Sequence, residues 1–115
     1  MQLEEHAVGD VVVLLPSGRL TRNESFGDVN KRLRDLVQQG SRKFVLDLGA
    51  VSYMDSTCIG ELVSGFVTVR KHGGTLHLAN PTSRVEHLLS VAGLTSIFGP
   101  FGSQEDVVRR VTDAR

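Results

Sequence analysis

Apolar positions fall into two alternating periods along this chain, short unbroken runs and longer repeats spaced at three and four residues. Val11-Val12-Val13-Leu14-Leu15 is a β-branched run ending at Pro16-Ser17-Gly18, which predicts a buried strand closed by a turn. A more polar strand over Gln2 to Ala7 is expected before it, joined through Gly9-Asp10 as a hairpin. Phe26, Val29, Leu33, Leu36 and Val37 then share one helical face, with Asn23 as the expected N-cap and Gly40 as the stop. Phe44 to Leu48 reads as a second buried strand, followed by a loop. Ile59, Leu62, Val63 and Phe66 open a helix that runs to about His72, where Gly73-Gly74 ends it.

Leu76, Leu78 and Ala79 suggest a further strand. Asn80-Pro81 has the form of an N-cap and first helical residue, before an apolar face of Val85, Leu88, Leu89 and Ala92 that stops at Gly93. A short extended piece is expected at Ile97-Phe98. Ser103 and Asp106 then resemble a capping box ahead of Val107, Val108 and Val111. The order is strand and helix in alternation, which predicts an α/β fold. Its sheet should be mixed and mostly parallel, with four to five strands, about four helices and an antiparallel strand at the N-terminal end. In open sheets of this kind functional groups gather beyond the carboxyl ends of the strands, so the loop after Leu48 is where chemistry is sought.

Composition narrows the class. The 115 residues suit one domain over 1–115, able to bury roughly two-thirds of the unfolded surface without metal or disulfide. Thirteen basic and thirteen acidic side chains cancel, and Arg42-Lys43, Arg70-Lys71 and Arg109-Arg110 are scattered pairs rather than a stripe. That distribution argues against nucleic acid as a partner. One cysteine excludes an internal disulfide. The first residues lack a signal-peptide pattern and the longest apolar run is far too short to span a bilayer, so a cytoplasmic location without membrane insertion is expected.

The loop reads Gly49-Ala50-Val51-Ser52-Tyr53-Met54-Asp55-Ser56-Thr57-Cys58-Ile59-Gly60. Asp55, Ser56 and Thr57 are all good N-cap types standing just before a helical repeat, so a purely structural role accounts for them as well as a functional one. Cys58 at a helix start could be an activated thiol, but His72, the histidine of that helix, is fourteen residues or about 21 Å away. The histidines show no metal-binding spacing, and no phosphate-binding glycine loop is present. No enzyme activity and no cofactor are expected.

This segment, with Phe44 to Leu48 before it, resembles the signature of STAS domains, and more narrowly that of bacterial anti-sigma factor antagonists. Gly18-Arg19-Leu20-Thr21, Gly73-Gly74-Thr75-Leu76 and Val91-Ala92-Gly93-Leu94 match further turns of that family in order. The resemblance implies that Ser56 is the serine phosphorylated by the cognate anti-sigma factor, a serine kinase, with a serine phosphatase as a further partner. It implies a partner surface that includes Gly18, Thr21, Asp55, Ser56, Thr57, Cys58, Ile59 and Gly60. Asp55 would either cap the helix or orient the Ser56 hydroxyl, and the backbone N–H groups of Cys58 and Ile59 are expected to receive the phosphate. Gly60 is expected to permit a close backbone approach in the first turn. Three positions depart from the family: Cys58 stands where glycine is usual, and Arg19 and Thr21 replace two acids. A constitutive STAS scaffold in a stress-signalling, transporter or lipid-transport complex is the alternative the resemblance leaves open.

Overall fold

A computed structural model of the protein describes residues 2–21 and 27–113. Strand β1 (Gln2–Val8) and strand β2 (Val11–Leu20) form the expected antiparallel hairpin about Gly9. β2 does not stop at Pro16, however, but continues to Leu20. It changes partner on the way: Val11 to Leu14 pair in parallel with β3 (Lys43–Asp47), and Gly18 to Leu20 with β4 (Val51–Met54). Pro16 lies between the two ladders, where its missing N–H breaks neither. Gly18, at φ +92°, absorbs the register shift between the Gly18–Val51 and Arg19–Tyr53 pairs, so this glycine marks a bulge inside a strand rather than a closing turn.

Helix α1 (Gly27–Gln38) crosses from β2 to β3, and α2 (Ser56–Lys71) crosses from β4 to β5 (Thr75–Ala79), which pairs in parallel with β3. The expected cap at Asn23 and the apolar Phe26 lie outside the described residues. The expected stops at Gly40 and Gly73 are both present. In each the glycine N–H and the next N–H turn back to the helix, as in Gly40 to Val37 and Ser41 to Leu36, 3.0 Å each.

Helix α3 (Ser83–Val91) starts later than the Asn80-Pro81 signal suggested. Its cap is Thr82, whose hydroxyl accepts the Val85 N–H at 3.3 Å. Asn80 is otherwise engaged, at φ +52° with its amide on Asp47 and its N–H on the Gly102 carbonyl. The piece at Ile97-Phe98 is one helical turn, α4 (Thr95–Phe98), not a strand: Phe98 is buried while Ile97 faces out. Ser103 caps α5 (Gln104–Asp113) through the Asp106 N–H at 3.2 Å, as expected.

Period two along the strands divides the core between the two sheet faces. Leu14, Phe44, Leu46, Leu76 and Leu78 meet α1 and α2, while Val11, Val13, Val45 and Ala79 meet Val107, Val108 and Val111 of α5. Where β3 ends, the carboxylate of Asp47, buried to 7% exposure, accepts from the Gly49 N–H (2.8 Å), the Asn80 amide (3.2 Å) and the Gln104 amide (2.8 Å). It therefore ties the carboxyl end of the sheet to the start of α5.

His77 on β5 is half-buried near Arg110, and burial first, then that positive charge, lowers its pKa from 6.5. The unfolded chain thus binds the extra proton near pH 6.5. The contribution of this group to stability is complete above that pH and falls as the pH is lowered through it. Urea midpoints measured from pH 7.5 to 5 are expected to fall for the native sequence and to fall less steeply for His77→Gln; equal slopes would assign the loss to other groups.

Candidate functional site

The pairing of β2 with β4 sets the site. It places Arg19 beside Tyr53 and Leu20 beside Met54, and the Asp55 N–H donates to the Leu20 carbonyl at 3.2 Å. Asp55 is thereby held extended, at φ −95° and ψ 174°, as the N-cap of α2, with its Oδ1 accepting the Cys58 N–H at 3.2 Å. Of the three cap types in succession, the first therefore caps. Ser56 and Thr57 follow as the first two helical residues, both exposed. The Cys58 N–H, one of the two donors expected to meet a phosphate, is instead taken by the Asp55 side chain. The carboxylate also meets the positive end of the α2 dipole.

Cys58 requires a correction. Its side chain is 0% exposed and its thiol donates to the Leu20 carbonyl at 3.0 Å. The third helical position points at the end of β2, so the small residue there serves the core and its side chain is withdrawn from any partner surface. Gly60 is exposed, and a Cβ built on it would meet nothing within 4 Å, so no described part of the chain makes the close approach expected there. The glycine that α2 does need is Gly65, where a Cβ would collide with Asn30 Oδ1 on α1. Ile59 is half-buried against the core cluster. Gly18, Ser56, Thr57 and Gly60 are exposed; Thr21 and Asp55 are half-buried.

A groove of about 460 Å³ opens beside Ser56, between the β4–α2 junction and the outer side of α3. Tyr53, Met54, Asp55 and Ser56 line one wall, and Arg84, His87, Leu88 and Val91 line the other. Val91 is 73% exposed, and the Arg19 guanidinium lies 5.0 Å from the Tyr53 ring centre. Sequence reasoning did not reach Arg84 and His87 as site residues. Three residues apart on α3, they read as part of an ordinary solvated face, and nothing local signals that this face meets the Ser56 loop. Among the described residues, no group of three or more His, Cys, Asp or Glu side chains could hold a metal ion, and no helix is long and apolar enough to cross a membrane.

The family model for the STAS domain matches residues 3–108. The anti-sigma-B factor antagonist of Bacillus subtilis is 39% identical over 69 residues, covering 60% of this chain and 62% of that protein. The crystal structure of a candidate anti-sigma factor antagonist from Thermotoga maritima superposes with a TM-score of 0.86 at 26% identity, over 96% of this chain and 94% of that one. The Bacillus cell-fate determinant SpoIIAA, at 19% identity, shares the fold. Its unphosphorylated form has a TM-score of 0.83 over 99% of each chain, and its phosphorylated form 0.75 over 96% of this chain and 99% of that one. With the family model covering nearly all of its length, the chain belongs to the STAS domain family and stands among relatives named as anti-sigma factor antagonists.

Proposed function

We propose that this protein is a one-domain anti-sigma factor antagonist. While Ser56 is unmodified it binds an anti-sigma factor that is also a serine kinase, so that a sigma factor is released. Phosphorylation of Ser56 ends that binding, and a serine phosphatase restores it. The observation that carries the reading is the placement of Ser56: its side chain is exposed at the first position of a helix whose next turns are anchored by buried Cys58 and Leu62. A modification there changes the surface and leaves the core alone.

In the transfer, the Ser56 hydroxyl gives its proton to a base of the kinase and its oxygen bonds to the γ-phosphorus of ATP. The bond from that phosphorus to ADP breaks, and ADP leaves with the electron pair. The phosphoserine carries about 1.5 to 2 negative charges at neutral pH beside Asp55. A partner packed over this turn would bury them, at a cost of several kcal/mol. About 3 kcal/mol already corresponds to roughly a hundredfold in affinity. The partner surface extends along the outward side of α2, where Val67 is 53% exposed, and over Gly18 and Thr21.

Arg19 supports a second reading, a STAS scaffold that works without phosphorylation. Where the family carries an acid, this chain presents a guanidinium on Tyr53, which suits a partner of different charge. Phosphopeptide mapping of protein recovered from its native cells, growing and stressed, separates the two. Phosphate on Ser56 with an occupancy that follows the condition supports the switch; its absence under every condition leaves the scaffold.

A further inference from the structure

The groove beside Ser56 has acid on one wall and base on the other. Asp55 sits at the head of α2, while Arg84 and His87 occupy successive turns of α3, three residues apart and therefore on one side of that helix. Both are exposed, and neither makes an ion pair or hydrogen bond with another described residue. Meanwhile Val85 and Leu89 are buried at 1% and 0% exposure and fix α3 in place. Two cationic donors are thus held by a rigid helix, facing a serine across an open groove, with no anion among the described residues engaged.

We propose that Arg84 and His87 form a clamp for the phosphate of Ser56, so that the modified serine is drawn into its own groove instead of standing free in solvent. This inference rests on the reading of Ser56 as a phosphorylated residue and adds where the phosphate goes. The guanidinium fork of Arg84 matches two phosphate oxygens at once, and the imidazole N–H of His87 supplies a further donor, with a second positive charge when protonated. These contacts offset the repulsion between the phosphate and Asp55. The groove also explains how the surface offered to a partner changes by more than one charge. Arg84 pulled over the serine covers the groove between Met54 and Val91, an apolar strip that is open in the unmodified protein.

The test installs phosphoserine at position 56 during translation, so that no kinase is needed, and follows the phosphate by phosphorus NMR as pH is varied. Tyr53 and Asp55 face it from the β4–α2 junction, Arg84 and His87 from α3, and Arg19 lies beyond Tyr53. Its second ionisation, ordinarily near pH 6, is expected to lie about half a unit or more lower in the otherwise native chain than in Arg84→Gln with His87→Gln. The single Arg84→Gln variant separates the fixed charge from the histidine's own titration. Arg19→Gln is expected to leave the value unchanged, and the Arg84 side-chain N–H signal is expected to shift when the phosphate is present. Both α3 side chains are exposed, so the variants are expected to fold, and circular dichroism checks this. Identical titrations in the native and double-variant proteins would overturn the clamp, as would a shift that disappears with Arg19→Gln instead. Failure to find phosphate on Ser56 in cells would remove the switch while leaving this result to stand on its own.

Discussion

Ser56→Asp is expected to weaken binding of the cognate anti-sigma factor by about a hundredfold, while Ser56→Ala binds as the native protein does and is not released by ATP. The aspartate variant should fold normally, because a carboxylate in the first turn of α2 meets the positive end of the helix. What changes is the surface: a fixed negative charge beside Asp55, in a turn that the partner must desolvate. Alanine removes the hydroxyl that accepts phosphate without adding charge, so the complex forms and ATP cannot dissolve it. Surface plasmon resonance with and without ATP reads both effects. Tight binding by the aspartate variant would count against charge as the switch. Loss of binding by both variants would assign the hydroxyl itself to the contact.

Asp47→Ala is expected to lower stability by about 3 kcal/mol, since hydrogen bonds to a charged group contribute roughly 1.5 to 3 kcal/mol each and three donors would lose their acceptor together. For a domain of this size that corresponds to a fall in Tm of roughly 10 to 20 °C. The cost arises because the Gly49 N–H and the Asn80 and Gln104 amides converge on one buried carboxylate. Asp47→Asn keeps an acceptor oxygen and should fall between the two. Denaturant unfolding measures all three proteins. A loss below 1 kcal/mol for the alanine variant would mean that water replaces the carboxylate at little cost.

Asp47 also shows where local reading ends. In the sequence it is one polar residue in Phe44-Val45-Leu46-Asp47-Leu48, and nothing nearby reveals that residues 33 and 57 positions away donate to it. Pro16-Ser17-Gly18 reads as a turn because proline and glycine usually interrupt a ladder; the strand continues because two different neighbours share it. β4 escaped notice for a related reason. Val51-Ser52-Tyr53-Met54 is too short for a period to emerge, and its pairing residues lie more than thirty positions earlier. Ile97-Phe98 contains an apolar pair that suits a strand or a helical turn equally, and the choice rests on Phe98 fitting the core.

The α/β class, the mostly parallel sheet with its antiparallel first strand, the helix stops at Gly40, Gly73 and Gly93, and the placing of Asp55-Ser56-Thr57 at the head of a helix were determined by the sequence alone. Each depends on periods and cap chemistry confined to a few neighbouring residues. Which of the three residues caps α2, the inward turn of Cys58, the open space around Gly60 and the basic wall that Arg84 and His87 raise opposite Ser56 were decided only in the tertiary structure. These follow from the β2–β4 ladder and from the packing of α3, contacts between segments distant in the chain, whose geometry no local pattern of polar and apolar residues encodes.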